Sequence, residues 1–293
     1  MDFLRNYGYD KLQALYSRPV SELQPVMKQP NGIIFDAPIY QGRDLFANVL
    51  VEMTVNRWKN PKFIVGNEMG AVLALFVALG MNAEEIFNNW SNGLFDPDTL
   101  LFGKRRLHRS LGFLHPLKAG ALHKGARLSK AIDDLLRSKY ELGKKARMTL
   151  AELNGKTHVS LHINAYSVTK NDGVLLSHEN YPEMPVSEAI MCSLARFPIL
   201  KVREWRKEVF IARSTSMPIP LVEIKTVYDA WGGAQAGFVQ DLRIYSIAAL
   251  GVEKKDMEFT MLVARPEIER QYYNQELVKC FKVYKAGFKV EDW

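Results

Sequence analysis

Two absences limit the class of protein that this sequence can encode: it has few cysteines and no long apolar run. Its 293 residues include only two cysteines, Cys192 and Cys280, and neither forms a CxxC pair or another metal-ligand pattern. The low count argues against a disulfide framework and favours an intracellular, reducing compartment, either the cytoplasm or an organelle matrix. Because no run of about 18 apolar residues is present, we expect no transmembrane segment.

The amino terminus also lacks an apolar signal core, and the acidic residues Asp2 and Asp10 argue against a standard transit peptide. The sequence has no internal repeat and no low-complexity stretch. His158 and His162 share one face of a predicted strand, but no third metal ligand accompanies them. We therefore expect neither a metal ion nor a cofactor.

The composition that remains is that of an ordinary globular protein. Hydrophobic residues make up 47% of the chain and charged residues 24%, and the length suffices for one large α/β domain or two small ones. The net charge of +7 favours an anionic partner or surface, because excess positive charge promotes association with negative groups.

The order of the predicted elements indicates an α/β fold. A short apolar strand at residues 32–36 precedes a helical pattern, and a second strand at 62–66 precedes an apolar helix at 71–79. Alternation of strand and helix is typical of a parallel sheet with crossover helices. The remaining predicted elements are strands at 159–168, 209–212, 220–227 and 258–263, and helices after Asn82 and at 186–194 and 245–250.

The second strand and its helix are joined by the turn Gly66-Asn67-Glu68-Met69-Gly70. Turns of the pattern G-x-S-x-G expose a nucleophilic serine at the top of a sheet, and small residues are needed because the turn is strained and the helix packs tightly behind it. Both glycines are present here, but Glu68 stands where the serine would be. The turn has the pattern of a nucleophile elbow without its usual nucleophile.

Together these segments resemble the patatin-like phospholipases, a family of acyl hydrolases. Residues 71–86 resemble the family's apolar helix and its LG-x-(S/N)-x-EEI run, and residues 184–198 resemble its A-I-x-A-S-x-a-x-P stretch. The family's catalytic aspartate stands in a D-G-G or D-G-A turn, and the nearest counterpart here begins at Asp229. The resemblance implies a three-layer α/β/α sandwich with a mainly parallel central sheet.

The resemblance spans residues 32–265, which we expect to form the patatin-like domain. It leaves an N-terminal arm at residues 1–31 and a C-terminal extension at residues 266–293. The extension is aromatic and basic, so we expect it either to contact a partner or to pack on its own domain.

The family works with a Ser-Asp dyad and a glycine-rich oxyanion loop, and this sequence departs from both. The nucleophile position is Glu68, and the turn at Asp229 has Ala230 and Trp231 in place of glycines. Proline has no N–H to donate to an oxyanion, and the other loop side chains would crowd the backbone donors. These departures predict loss of the acyl-transfer machinery. The positions of the oxyanion loop are Ala37, Pro38, Ile39, Gln41 and Gly42.

Glu68 has two interpretations. It could act as a carboxylate nucleophile or as an acid/base partner of Asp229. Alternatively, it is a polar residue kept in an inactive pocket and paired with Arg43 or a lysine. We favour the second interpretation.

A basic stretch without acidic residues occupies residues 100–132. Such a stretch is typical of contact with phosphate groups, either of anionic lipids or of RNA, although it could also be a solvated face or a docking surface for an acidic protein. Its candidate contact residues are Lys104, Arg105, Arg106, Arg109, Lys118, Lys124, Arg127 and Lys130.

The sequence therefore predicts a patatin-like pseudoenzyme that serves as a structural or interaction subunit of a larger assembly, with protein partners and an anionic contact. Two alternatives remain open. The chain could be a lipid acyl hydrolase with an atypical site, or it could bind lipid in its pocket without chemistry.

Overall fold

The computed structural model describes residues 32–37, 61–91, 100, 123–196, 199–213, 259–263 and 281–285. The predicted N-terminal arm, the helix between the first two strands, the strand at 220–227 and the helix at 245–250 lie outside these described residues.

Within the described residues, eight strands form one mixed sheet. Its order is β5-β6-β3-β2-β1-β7-β8, and β4 pairs with β3 off this path. Five adjacent strands, β3, β2, β1, β7 and β8, run parallel. Strands β4 and β6 are antiparallel to β3, and β5 is antiparallel to β6. The strands are β1 (Gly32–Ala37), β2 (Phe63–Glu68), β3 (Ser160–Ser167), β4 (Asp172–Leu176), β5 (Arg203–Trp205), β6 (Glu208–Ile211), β7 (Phe259–Val263) and β8 (Phe281–Lys285).

Helices accompany this sheet in the order typical of crossover connections, so the predicted α/β class with a mainly parallel central sheet is confirmed. The described helices are α1 (Met69–Ala78), α2 (Ala83–Ser91), α3 (Ala126–Tyr140), α4 (Leu150–Thr157) and α5 (Val186–Leu194).

The core is centred on β2 and α1. All six residues of β2 are buried, and so are all ten of α1. A strand covered on both faces and a helix covered all round need continuous apolar sequence rather than an alternating or one-sided pattern. The sequence has that character, which is why both elements were predictable.

Helix α2 begins at the predicted position because of its cap. The backbone N–H of Asn82 donates to the carboxylate of Glu85 at 2.8 Å, and the N–H of Glu85 donates to Asn82 Oδ1 at 2.8 Å. This reciprocal pair satisfies two backbone donors that the first turn of a helix leaves without partners.

Two local predictions are wrong. Strand β2 continues to Glu68 and α1 starts at Met69, so no separate turn lies between them and the predicted turn at residues 66–70 contracts to the Glu68–Met69 junction. His158 ends α4 with a φ of 54° instead of lying on a strand, so it does not share a face with His162. The capping box of Thr149 and Glu152 starts α4, a helix that was not predicted. His158 is the residue at which this helix ends, so it cannot continue the strand.

Strand β8 comes from the segment predicted as a C-terminal extension. It pairs parallel to β7, with Met261 opposite Val283, and is the end strand of the described sheet on that side. The domain boundaries at residues 31 and 265 stay predictions.

Candidate functional site

The turn at Glu68 has the backbone geometry of a strained elbow. Glu68 has φ 49° and ψ −119°, and it is both the last residue of β2 and the residue directly before α1. Residues other than glycine rarely adopt a positive φ, because their Cβ atom then approaches the backbone too closely. The chain therefore turns sharply at one residue, as it does where an α/β hydrolase presents its nucleophile.

Gly66 makes this sharp turn possible. A Cβ atom at Gly66 would lie 2.4 Å from Ala71 Cα and 2.9 Å from Ala74 Cβ. Both contacts are with the helix that follows the turn, so the missing side chain lets α1 pack directly against β2. Gly70 is buried in the first turn of α1.

The side chain of Glu68 is buried, with 1% of its surface exposed. Its carboxylate lies 4.0 Å from the guanidinium of Arg196, and its backbone N–H donates to Ser193 Oγ at 2.8 Å. Ser193 belongs to α5, and Arg196 follows that helix. The end of α5 thus holds both the main chain and the side chain of the elbow residue.

The predicted oxyanion loop begins beside the elbow. Ala37, the last residue of β1, is the register partner of Glu68 in β2. The sheet thus brings the first loop position and the nucleophile position together, as the resemblance implies. The other loop positions and the aspartate position lie outside the described residues, and so does Arg43. They are Pro38, Ile39, Gln41, Gly42 and Asp229.

A buried polar layer lies behind the elbow. Asn164 Nδ2 donates to Asn67 Oδ1 at 3.0 Å, and Ser160 Oγ lies 2.7 Å from Nε2 of His162. Burial, with a smaller contribution from His178, lowers the pKa of His162 from 6.5 to about 3. A histidine that stays neutral and is 1% exposed cannot exchange protons with a substrate, so the Ser160–His162 contact is structural.

Sequence reasoning missed Ser193, Arg196 and Asn164 as members of this site. The first two lie within the 184–198 stretch that carries the resemblance, and that stretch was the available signal. Their roles follow from where α5 ends relative to β2, which no local pattern encodes.

The basic stretch is only partly described. Lys124, Arg127 and Lys130 are exposed, the last two on α3, whereas its five other candidate residues lie outside the described residues. In the described part of the chain, no group of three or more His, Cys, Asp or Glu side chains could hold a metal ion. None of the described helices is long and apolar enough to cross a membrane.

Comparisons with known proteins complete this description. A sequence model of the patatin-like phospholipase family matches residues 50–221, which is more than half of the chain. No curated protein matches the sequence.

Solved structures to which the chain is similar include VipD from Legionella pneumophila, at 12% identity and a TM-score of 0.43, covering 84% of this chain and 64% of that one. Full-length ExoU with SpcU, from the type III secretion system of Pseudomonas aeruginosa, is similar at 16% identity and a TM-score of 0.34 over 58% of this chain. This chain spans 64% of the first and 38% of the second. The family model matches more than half of the chain, and this match shows that the chain belongs to the patatin-like phospholipase family.

Proposed function

We propose that this patatin-like chain is inactive as an acyl hydrolase and acts as a structural or interaction subunit of a larger assembly. The observation that carries the proposal is Glu68 itself. The elbow residue bears a carboxylate instead of a hydroxyl, is 1% exposed, and lies 4.0 Å from the Arg196 guanidinium.

The position of Glu68 suits a structural role better than a nucleophilic one. A serine nucleophile needs a free Oγ at the mouth of the site and a base to take its proton. A carboxylate turned toward a guanidinium is stabilised as an anion, and this stabilisation lowers its tendency to attack an ester carbonyl. The elbow geometry is kept while the group it presents is directed inward.

The neighbouring serine does not replace the missing hydroxyl. Ser193 Oγ accepts the backbone N–H of Glu68 at 2.8 Å, and Ser193 has no exposed surface. A substrate carbonyl cannot approach an atom that is enclosed by the elbow and by α5. Ser193 therefore supports the turn instead of reacting.

An interaction role is supported by the charge on α3. Arg127 and Lys130 are exposed, one turn apart on the same helix, and Lys124 is exposed just before it. We propose that this face, with the rest of the basic stretch, contacts an anionic partner, either a lipid surface or RNA.

A hydrolysis assay tests the proposed inactivity. Purified protein is incubated with a p-nitrophenyl ester and with phospholipid vesicles, beside an active patatin-like hydrolase as positive control. We expect no turnover above the buffer rate for the native protein and for its Glu68→Gln and Asp229→Asn variants. Turnover by the native protein that either variant abolishes would overturn the proposal and establish an atypical hydrolase.

The partner itself is sought by affinity purification of the full chain from its native source, followed by mass spectrometry of proteins and lipids. A subunit of an assembly co-purifies with defined proteins in fixed ratio. Stoichiometric lipid without protein would instead support the lipid-binding alternative.

A further inference from the structure

A second candidate site lies apart from the elbow. A cleft of about 540 Å³ opens between the start of β4, the turn that follows β4, and the β5–β6 hairpin. None of its lining residues belongs to the elbow or to α5. Its volume falls within the usual range for sites that bind small molecules. It lies beside the antiparallel strands β4 and β6, which pair with the carboxyl-terminal half of β3.

The cleft has a built polar wall. Lys170 Nζ donates to the Tyr181 hydroxyl at 2.8 Å and lies 3.0 Å from the carboxylate of Glu208, while the same hydroxyl donates to Glu208 at 2.9 Å. The ring of Tyr181 is in turn fixed edge-on against buried Phe210, at 5.8 Å between centroids. This closed triangle gives the wall a fixed geometry.

The wall is arranged for binding and not for proton transfer. Burial raises the pKa of Tyr181, so its phenol stays neutral. Burial alone would raise the pKa of Glu208, but hydrogen bonds from Ser167, Lys170 and Tyr181 outweigh it and lower that pKa. At neutral pH the wall therefore presents an ammonium, a neutral phenol and a carboxylate.

A second charged pair lines the same cleft at a more exposed position. The Arg206 guanidinium lies 5.7 Å from the centre of the Trp205 ring and forms an ion pair with Glu183. Arg206 and Glu183 are 68% and 64% exposed. Exposed pairs of this kind contribute little stability, so a ligand can exchange with them at small cost.

The charges of the lining cancel. Two cations, Lys170 and Arg206, face two carboxylates, Glu183 and Glu208, and the Arg206 guanidinium also lies near the Trp205 ring. A simple anion or a simple cation gains no net attraction from such a lining. A ligand that carries both charges can pair with Arg206 and Glu183 at once without burying net charge.

The hairpin turn adds a second reason to regard this wall as functional. Arg206 and Lys207 both have positive φ, 49° and 67°. Two-residue hairpins of this type favour Asn-Gly, because those residues adopt positive φ with less strain. Of these two residues Arg206 lines the cleft, and its charge is kept there despite a local conformational cost.

We propose that this cleft binds a small zwitterion that carries an ammonium group and, a few bonds away, a phosphate or carboxylate. The ammonium replaces the Arg206 guanidinium over Trp205 and beside Glu183. The released guanidinium then binds the anionic group, and Val174, Leu175 and Pro182 supply apolar contact for the ligand's carbon skeleton. Both halves of the ligand are needed, because each replaces one half of the Arg206–Glu183 pair.

The proposal is tested by titrating the full chain with four probes, followed by calorimetry and by the indole N–H resonance of Trp205 in NMR spectra. Phosphocholine and glycine betaine are the zwitterions; choline and inorganic phosphate are the single-charge controls. We expect at least one zwitterion to bind in the millimolar range or tighter, and both single-charge probes to bind about tenfold more weakly. Phosphocholine binding alone assigns phosphate as the anionic group, and betaine binding assigns carboxylate.

Three variants assign the binding to the cleft. Trp205→Ala should weaken zwitterion binding about tenfold and Trp205→Phe should restore part of it, because a phenyl ring still accepts a cation. Glu183→Gln, at an exposed position, provides a variant that does not threaten folding and should also weaken binding. Lys144→Ala, an exposed lysine of the α3–α4 connection, serves as the control and should bind normally.

The proposal is overturned if no zwitterion binds, if phosphate or choline alone binds as tightly, or if Trp205→Ala and Glu183→Gln both bind normally. It goes beyond the proposed inactivity of the elbow and does not depend on it. The Glu68→Gln variant should bind the zwitterion as the native protein does, so failure of one proposal is distinguishable from failure of the other.

Discussion

Glu68 combines a positive φ with a buried carboxylate, and the two features contribute to stability with opposite signs. Its φ is 49°, and its carboxylate lies 4.0 Å from Arg196. This sparsely populated conformation strains a residue that has a Cβ by about 1–3 kcal/mol. Removing a buried carboxylate also leaves its partner's charge uncompensated. Variants at this position can separate the two terms.

We predict that Glu68→Gly is more stable than Glu68→Ala by about 1 kcal/mol. Both variants lose the carboxylate, so their difference reports the backbone strain less the extra conformational entropy that glycine loses on folding. Urea unfolding followed by circular dichroism measures it. The comparison position is Glu141, exposed with φ 52° and ψ 40° in the left-handed helical region, where the same two substitutions should differ by no more than about 1 kcal/mol. An alanine variant at Glu68 as stable as the glycine variant would contradict the strained elbow.

His162 gives the protein a defined acid sensitivity. The unfolded chain binds a proton near pH 6.5, whereas burial lowers the pKa of the folded histidine to about 3. The contribution of neutral His162 is complete above pH 6.5 and is lost progressively as the pH falls from 6.5 towards 3. Between about pH 7.5 and pH 5 the loss should be about 2 kcal/mol.

The measurement is the free energy of unfolding at those two pH values. We expect the native protein to lose about 2 kcal/mol more than the His162→Gln variant. His158→Asn is the control, because His158 is exposed at a helix end where asparagine also tolerates positive φ. An equal loss in the native protein and in His162→Gln would show that other groups set the acid sensitivity.

At the scale of elements, the packing of α1 on β2 depends on Gly66. A Cβ there would lie 2.4 Å from a backbone atom of Ala71, which cannot move aside as a flexible side chain could. We predict that Gly66→Ala destabilises the fold by about 3 kcal/mol. Thermal and urea unfolding of the purified variant provide the test.

Gly155 provides the opposite case on a different helix. It lies inside α4, and a Cβ there would have no neighbour within 4 Å. Gly155→Ala should therefore stabilise the protein by about 0.5–1 kcal/mol, the difference in helix propensity. If Gly66→Ala were as harmless as Gly155→Ala, the close approach of α1 to β2 would be wrong.

Elements with a strong local signal were predicted well. The proline at 185 and the apolar run behind it give α5 its observed bounds, Val186–Leu194. The start of α4 was missed because its signal is a capping box in a segment without apolar periodicity. Where the hydrophobic pattern is weak, the capping residues determine where a helix starts. A short capping signal is easily overlooked beside a neighbouring strand.

For the whole molecule, the net charge of +7 leaves open which surface meets an anionic partner. We predict that the double variant Arg127→Glu, Lys130→Glu lowers binding to anionic vesicles or to RNA by about tenfold or more, because each cation near a charged surface contributes about 1 kcal/mol. Co-sedimentation or filter binding at rising salt concentrations measures it, and binding of the native protein should fall steeply with salt.

The charge-matched control is Lys144→Glu, Lys145→Glu in the exposed turn after α3. It changes the net charge by the same amount at another place. If both double variants lose binding equally, the net charge acts without a defined contact face, and the predicted role of the basic stretch is wrong.

The sequence by itself determined the strand-to-helix unit at residues 63–78 and the class of the fold. Continuous apolar runs and paired glycines constrain the local backbone strongly, and they do so wherever the segment lies. It also placed Glu68 at the elbow, because the glycine spacing marks that position.

The tertiary structure decided what surrounds that residue. Arg196 and Ser193 lie more than 120 residues from Glu68 in sequence and meet it only because α5 ends beside β2. The cleft at Trp205 and Tyr181 likewise joins segments that no sequence pattern links. Contacts between distant segments depend on how whole elements pack, and this dependence is why the partners of Glu68 could not be deduced from the sequence.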